Sequence, residues 1–504
     1  MRKDKLFTKF RKELDAMAHV NVAIDILFWD QKTFMPQKGA ELRAKTISNL
    51  SGALHKKFVS RDFEKLLLNI KELADSNKLD DIEDCIFREV WRDFERAKKL
   101  SVEFVKELSF VCSSGQNAWI QSREKSDFRL FLPYLKKIIE LKRKEAIIVG
   151  FKKNPYDALL DSYEPYATAD EIELIFDELK RFLVPFLKRI KKAPVKINPN
   201  ILKGNFKIEK QVDFNKFVAK KIGFDFEAGR LDISAHPFTV NFNAKDVRIT
   251  TRFKKDDLIY SLMSTIHESG HAIYEQGILA ENFGTPLGEP ISFGIHESQS
   301  RIWENIIGKG KPFWKYFYPQ IQKKFPRPFS EISINDFYKA INYVIPSLIR
   351  TEADEVTYNL HIIMRFEIEK ELLDGSIEAE DLPKIWNDKV MEYFGIDVPD
   401  DTLGVLQDVH WADGSIGYFP TYILGNLYAS QLYDVAKREI ENLEEKFSDG
   451  HFSQFREWLK QRIHIHGKLY SAEDLIKRVS GEELSSKYYI EYIRNKYSEI
   501  YDLK

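Results

Sequence analysis

Cysteine is scarce in this sequence, and its scarcity excludes one broad class of protein. Only Cys85 and Cys112 occur in 504 residues, whereas small secreted scaffolds held by disulfides contain many more. Neither cysteine has a histidine near it at the spacing of metal ligands. We therefore expect two ordinary thiols, buried or partly buried, and no disulfide framework.

Long apolar runs and an excess of one charge are also missing. No apolar stretch reaches the roughly 20 residues that span a bilayer, and the charged N-terminal residues lack the apolar core of a signal peptide. Lysine and arginine number 77, aspartate and glutamate 78, so nothing indicates a basic surface for nucleic acid or membrane. We expect a cytoplasmic protein without either partner. High charge with few cysteines and methionines is typical of heat-adapted proteins.

Proline and glycine are sparse, at 18 and 23 residues, which favours long helices with short connections. Apolar residues recur at helical spacing over residues 7–29 and 171–190, and residues 427–447 indicate a third, charged amphipathic helix. The sequence therefore predicts a mainly α protein. No repeat or long linker divides it, so we expect one unit over residues 1–504.

One region departs from the helical period. Over residues 246–252, Val247, Ile249 and Thr251 alternate with polar residues, which predicts a half-buried strand. A small sheet is therefore expected just before the strongest motif of the sequence.

That motif is His267-Glu268-Ser269-Gly270-His271. Its surroundings predict a helix, with an aspartate cap at position 256 or 257, apolar residues at helical spacing and a stop at position 277. Residues four apart share one helix face, so both imidazoles can bind one metal ion. Glu268 can then serve as the general base that takes a proton from the attacking water.

The two histidines could instead be a hydrogen-bonded surface pair. Gly270 favours the metal site, because glycine inside a helix costs about 1 kcal/mol relative to alanine and usually marks close packing. A catalytic site needs a third protein ligand and one open position. Gly277 stands where a metzincin would have its third histidine, so that class is excluded.

Carboxylates downstream of the motif are the candidates for the third ligand. They are Glu275, Glu281, Glu289, Glu297 and Glu304. Glu275 is one turn beyond His271 and is expected to point elsewhere. Glu297 follows His271 after a gap long enough for a loop and a return helix, which could bring it to the metal. Alternatively, Glu297 forms an i,i+4 surface pair with Arg301, which would contribute little.

These residues together resemble the carboxypeptidase Taq family of thermostable metallocarboxypeptidases. The matching segments are, in order, His236-Pro237-Phe238, Asp246-Val247-Arg248-Ile249-Thr250, the motif at 267–271, His296-Glu297-Ser298-Gln299-Ser300-Arg301, Ile349-Arg350-Thr351-Glu352-Ala353-Asp354 and Gly404-Val405-Leu406-Gln407-Asp408-Val409-His410-Trp411, with Trp29-Asp30 and Met35-Pro36 nearer the N-terminus. Several ordered motifs are far more specific than any single one.

The resemblance implies a large helical, cleft-bearing fold akin to neurolysin and angiotensin-converting enzyme, with two helical halves around a deep substrate cleft and the small sheet beside the active-site helix. It implies a homodimer that releases single C-terminal residues from peptides with free C-termini, with broad specificity and poor activity toward proline. It also implies Glu297 as the third ligand to one divalent metal per chain, which is expected to be zinc, with cobalt also supporting activity.

The resemblance also suggests roles for residues outside the metal motif. Arg350 would recognise the substrate carboxylate through its bidentate fork, unless it only pairs with Asp354. His410, Tyr418 and Tyr422 could donate hydrogen bonds to the oxyanion, although either tyrosine could be a packed aromatic.

Other residues are candidates for contact with substrate or for support of the ligands. His236 and Arg248 are assigned to substrate binding, and the strand at 246–252 is expected to form a cleft edge that pairs with extended peptide. Asp354 or Asp408 could orient the metal-binding imidazoles.

Two other functions are alternatives to the metallocarboxypeptidase interpretation. One is an oligopeptidase or dipeptidyl carboxypeptidase with the same metal chemistry, for which a carboxylate anchor at Arg350 next to the metal would not be needed. The other is a non-catalytic helical scaffold stabilised by metal, which would have no need for Glu268.

Overall fold

Helices make up most of residues 2–503, the part of the chain that this computed structural model describes. The α-helices are α1 (Arg2–Thr33), α2 (Ala40–Phe58), α3 (Arg61–Asp75), α4 (Asp81–Lys99), α5 (Val102–Lys125), α6 (Leu132–Val149), α7 (Pro155–Leu160), α8 (Ala169–Lys191), α9 (Ile208–Ile222), α10 (Leu258–Gly277), α11 (Phe293–Arg301), α12 (Lys311–Lys324), α13 (Pro326–Phe329), α14 (Ile334–Ile341), α15 (Tyr358–Asp374), α16 (Leu382–Phe394), α17 (Pro420–Glu439), α18 (Leu443–Ser448), α19 (Ser453–Arg462), α20 (Ala472–Ser480) and α21 (Lys487–Tyr501). The predicted mainly α class is confirmed.

Two of the three predicted helices are confirmed and one is wrong. Residues 7–29 lie inside α1 and residues 171–190 inside α8. Residues 427–447 were expected to form one helix, but they belong to α17 and α18. The helical conformation is interrupted between these two helices at Asn442, whose φ of 53° lies in the left-handed region. Asparagine tolerates this conformation better than most residues, yet its presence alone does not announce a break.

The single sheet within residues 2–503 contains β1 (Gly229–Ile233), β2 (Thr239–Asn243) and β3 (Asp246–Thr251). The predicted strand is confirmed as β3, and Val247 and Ile249 on one of its faces are fully buried. The strand order is β1-β3-β2, with β3 parallel to β1 and antiparallel to β2. Because both edges of β3 are already paired, the expectation that it pairs with a peptide is wrong.

The chain divides into two compact units. Unit 1 comprises the residues up to Lys98, Pro199–Ile341 and Leu432–Glu483, and it contains the sheet together with α10 and α11. Unit 2 comprises Lys99–Asn198, Asn342–Gln431 and the residues from Leu484 onward, and it contains α15. The predicted arrangement of two halves around a substrate cleft stays a prediction.

In unit 1, helix α10 begins and ends where the sequence indicates. The Asp257 side chain caps it by accepting a hydrogen bond from the backbone N–H of Tyr260. At the other end a Cβ on Gly277 would lie 2.4 Å from His464 Nδ1, so only glycine fits. Leu262 and Ile266 are fully buried along the helix. No described helix is both long and apolar enough to cross a membrane.

Candidate metal centre

Gly270 lets α10 and α11 pack backbone against backbone. A Cβ at this position would lie 2.6 Å from Ser300 Cα and 2.7 Å from Gln299 O, closer than real contacts allow. The close packing expected from a glycine inside a helix is therefore confirmed. Its effect is to bring the second helix, which carries Glu297, directly against the face that carries His267 and His271.

Three side chains converge where the two helices meet. His271 Nε2 is 3.4 Å and His267 Nε2 is 3.9 Å from Glu297 Oε2. One ligand atom from each residue lies within 4.8 Å of the others. Ligands that share one tetrahedral ion at about 2.0–2.2 Å stand roughly 3.3–3.6 Å apart. The residues therefore fit a single metal ion with little movement.

Each imidazole is held by its other nitrogen. Glu304 Oε2 lies 2.8 Å from His267 Nδ1, and the backbone oxygen of His296 lies 3.0 Å from His271 Nδ1. These acceptors bind the ring proton on Nδ1 and turn Nε2 of each ring toward Glu297, and Nε2 is the atom that a neutral imidazole offers to a metal ion.

Sequence reasoning missed both acceptors. It offered Asp354 or Asp408 instead, and this is wrong: Asp354 accepts from the backbone N–H groups of Val356 and Thr357, and Asp408 binds arginine. The spacing of Glu304 could have identified it. It lies seven residues, or about two helical turns, beyond Glu297, and therefore on the same face of a helix.

Arg301 fixes the orientation of Glu297. Its Nε donates to Glu297 Oε1 at 2.6 Å, and its Nη1 lies 3.4 Å from Glu304 Oε2. The i,i+4 pair that the sequence suggested as an alternative is thus present, but both side chains are largely buried and do not form the expected surface pair. It does not compete with a ligand role, because it uses one carboxylate oxygen and leaves the other facing the two histidines.

His296 packs against His271 and is itself bound by Glu275. The rings of His296 and His271 stack with centroids 4.3 Å apart. His296 Nε2 lies 3.0 Å from Glu275 Oε1, and Asn241 Nδ2 donates to Glu275 Oε2 at 2.5 Å. Glu275 therefore points away from the three converging groups, as the sequence suggested.

Glu268 is buried beside the histidines and is bound to the edge of the sheet. Thr239 on β2 donates its hydroxyl to Glu268 Oε2 at 2.6 Å. Burial raises the pKa of Glu268, while His267 and the threonine hydrogen bond oppose the rise. A carboxylate with a raised pKa and one oxygen held in place is suited to accept and return a proton.

The electrostatics of the cluster favour a cation. Burial would lower the pKa of His267, yet Glu297 and Glu304 raise it to about 9. Burial lowers the pKa of His271 to about 3, and that of Glu304 falls to about 2 through its contact with His267, against burial. With neutral imidazoles, the three carboxylates of Glu268, Glu297 and Glu304 outnumber the Arg301 guanidinium and the Lys309 ammonium that act on them, so the cluster attracts a cation.

A second set of predicted residues lies in unit 2, around Asp408. Arg350 is 6% exposed and donates to Asp408 Oδ1 from Nη2 at 2.8 Å and from Nε at 3.0 Å. Arg365 donates to the other oxygen of Asp408 at 2.6 Å. The pairing of Arg350 with Asp354 suggested as an alternative is wrong.

The predicted oxyanion donors form an aromatic group in unit 2. His410 stacks on Tyr418 with centroids 5.7 Å apart, and Tyr418 meets Tyr422 edge to face at 5.3 Å. Burial lowers the pKa of His410 to about 4, with nearby Arg350 and Arg365 contributing and Asp408 opposing. The imidazole is therefore neutral at neutral pH and keeps one N–H to donate.

The two remaining predicted substrate residues lie in unit 1. His236 is exposed just before β2. Arg248 lies between the rings of Trp29 and Phe242, at 4.4 and 4.8 Å from their centroids, and binds both oxygens of Asp246. These contacts explain Arg248 as a packing residue, and its role in substrate binding stays a prediction.

A helical fold that brings two histidines four residues apart, a glutamate from a second helix and a buried carboxylate to one place defines a metallopeptidase. The chain belongs to the carboxypeptidase Taq (M32) metallopeptidase family, whose profile matches residues 9–497. The resemblance seen in the sequence is confirmed.

Named relatives agree along nearly the whole chain. Carboxypeptidase 1 of Bacillus subtilis (strain 168) is 40% identical over 97% of each chain, and thermostable carboxypeptidase 1 of Thermus thermophilus is 39% identical over 98% of each. The crystal structure of an M32 carboxypeptidase from Deinococcus radiodurans R1 superimposes with a TM-score of 0.96 at 36% identity, covering 99% of this chain and 100% of that one. The chain is thus a metal-dependent carboxypeptidase by family.

Proposed function

We propose that this enzyme removes single residues from the free C-termini of peptides, with broad specificity and poor activity toward proline. The convergence of His267 Nε2, His271 Nε2 and Glu297 Oε2 beside Glu268 carries the proposal. A divalent ion held by these three atoms would supply Lewis-acid chemistry, activating water and polarising the scissile carbonyl.

Glu268 is the proposed general base. It takes the proton of the attacking water and later delivers it to the amine that leaves. The hydrogen bond from Thr239 to Oε2 leaves Oε1 for this exchange. Because Glu268 is buried, few other water molecules reach its carboxylate and compete with the attacking water.

Arg350 is the proposed anchor for the terminal carboxylate of the peptide. Asp408 is shared between Arg350 and Arg365, so one carboxylate faces two guanidinium groups. Arg350 uses only three of its five side-chain N–H groups in the described bonds, and a carboxylate can accept two parallel hydrogen bonds from an arginine. We propose His410, Tyr418 and Tyr422 as donors to the oxygen that becomes negative during hydrolysis, and His236 and Arg248 as contacts to the peptide.

Further properties belong to the proposal because they rest on family resemblance or composition. These are zinc as the resident metal with activity also with cobalt, a homodimer, stability to heat and a cytoplasmic location. The other activity considered, an oligopeptidase or dipeptidyl carboxypeptidase, is not favoured by the named relatives, which are carboxypeptidases.

Mass spectrometry of peptide digests tests the proposal. The enzyme is incubated with one peptide bearing a free C-terminus and with the same peptide amidated, each with zinc and with chelator. We expect a ladder that shortens by one residue at a time from the free peptide with zinc, and little product in the other three reactions. Products two residues apart, or equal cleavage of the amide, would contradict it.

A further inference from the structure

Glu369 on α15 is fully buried, yet it makes no ion pair in the described structure and lies outside the clusters above. It accepts three hydrogen bonds. Trp411 Nε1 donates to Oε1 at 3.0 Å, the backbone N–H of Gly417 donates to Oε2 at 3.0 Å, and the Tyr156 hydroxyl donates to Oε2 at 2.9 Å. Two of these donors belong to the segment between α16 and α17.

Those two donors bracket the segment that carries the predicted oxyanion donors. Trp411 follows His410 directly, and Gly417 precedes Tyr418 directly. Residues 410–418 form turns and no helix or strand, with a few backbone hydrogen bonds such as Ser415 N–H to His410 O, so anchors outside the segment also help to fix their shape. Gly417 has a φ of +94°, and a Cβ there would lie 2.9 Å from Leu160 N, so only glycine fits at this point of the segment.

The chemistry of the position requires a carboxylate. All three partners donate, and an ionised carboxylate is the side chain that offers two oxygens and no competing N–H. Burial raises the pKa of Glu369 to about 7, while the three donors and the nearby Arg365 oppose the rise, so ionising the side chain at this buried position costs stability. Glutamine would turn an NH₂ group toward a donor and lose at least one of the bonds.

We infer that Glu369 is a positioning residue, which holds His410 and Tyr418 where they can stabilise the negative charge that develops during hydrolysis. The inference rests on the proposed function, since it needs those two side chains to act in the reaction. A donor that matters only in the transition state affects kcat and leaves KM unchanged.

Glu369→Gln tests the inference against a matched control on the same helix. Glu367 also accepts three hydrogen bonds, from Lys180, Lys389 and Tyr393, but none of them comes from residues 410–418. We expect Glu369→Gln to lower kcat about 10- to 100-fold, the effect of a small misplacement, with unchanged KM and metal content. Glu367→Gln should lower the unfolding temperature and keep its kcat.

A second pair of variants covers the case in which Glu369→Gln fails to fold. Trp411→Phe removes one bond between Glu369 and the segment, whereas Tyr156→Phe removes the bond outside it. We expect a lower kcat in the first and normal kcat in the second.

In the double variant Glu369→Gln/Tyr418→Phe, the two losses in kcat should not multiply, because both act on the same donor.

The outcomes separate this inference from the proposed function. If Tyr418→Phe and His410→Gln lower kcat but Glu369→Gln loses no more than Glu367→Gln, the positioning role is overturned and the proposed function stands. If Tyr418→Phe and His410→Gln both keep full kcat, the assignment of oxyanion donors fails, and the role of Glu369 falls with it.

Discussion

The histidine–carboxylate cluster of unit 1 and the arginine–aspartate cluster of unit 2 are both buried, but the groups joined by hydrogen bonds carry excess charge of opposite sign. The first has more carboxylates than guanidinium groups around His267 and His271. The second has Arg350 and Arg365 sharing Asp408. The difference agrees with the proposal that the first site binds a metal cation and the second binds a peptide carboxylate.

Removal of a ligand from the unit 1 cluster should have the largest effect. His271→Ala should lose the bound metal and nearly all activity, because even a partner that orients a ligand contributes about 10–100-fold to metal affinity. Metal per chain, measured by atomic emission after dialysis, checks this. His451→Ala, at an exposed histidine of the same unit, should keep both. One metal retained per chain by His271→Ala would refute the site.

Removal of the base should separate chemistry from metal binding in the same cluster. Glu268→Gln keeps the shape of the side chain and should lower kcat by at least about 10²-fold. Metal content should stay at the wild-type level, since Glu268 is not among the three converging groups. Thr239→Val, which removes only the hydrogen bond to Glu268, should lose less activity. Near-normal turnover by Glu268→Gln would rule out the assigned role.

Substitution of Arg350 is the corresponding test of the unit 2 cluster. Arg350→Ala should lower kcat/KM on free peptides by about 10²-fold, because each charge-assisted hydrogen bond contributes roughly 1.5–3 kcal/mol. Arg350→Lys keeps the charge but loses the fork of the guanidinium group, so its kcat/KM should lie between those of wild type and Arg350→Ala. Asp408 retains Arg365 as its partner in both variants.

Amidated peptides decide whether Arg350 acts by contact with substrate. Amidation should lower kcat/KM strongly for wild type and only weakly for Arg350→Ala, because the variant has already lost the partner of the carboxylate. Equal losses in the two enzymes would make Arg350 structural.

The smallest expected effect concerns the packing beneath the unit 1 cluster. Gly270→Ala should lower the free energy of unfolding by about 1–3 kcal/mol, since α11 must move to admit a methyl group. Gly52→Ala on α2, where a Cβ meets nothing within 4 Å, should raise it by up to about 1 kcal/mol. Chemical denaturation of the two metal-free variants measures both changes. A Gly270→Ala enzyme as stable as wild type would contradict the packing argument.

The sequence was informative wherever chemistry depends on local spacing. The cap at Asp257, the stop at Gly277 and the tight contact at Gly270 were all predicted and are present. Each follows from rules that act within one or two helical turns. The convergence of Glu297 on the histidines was proposed on spacing and strengthened by family resemblance.

The features that sequence reasoning missed depend on tertiary arrangement. The acceptor for His271 is the backbone oxygen of His296, which no side-chain pattern reveals. The central place of β3 follows from strand order, and alternation along one strand cannot distinguish a central strand from an edge. The partner of Arg350 is Asp408, 58 residues away, and the four-residue spacing to Asp354 was misleading.

Arg301 holds Glu297 and Glu304 with one guanidinium group, and Glu304 in turn holds His267. The three converging groups are therefore held in place by bonds within the protein, and we expect uptake of metal to be separate from folding. Chelation should leave the backbone intact and lower the unfolding temperature only by mass action. Which divalent ion occupies such a site in the cell should then depend on the supply of each metal as much as on its affinity.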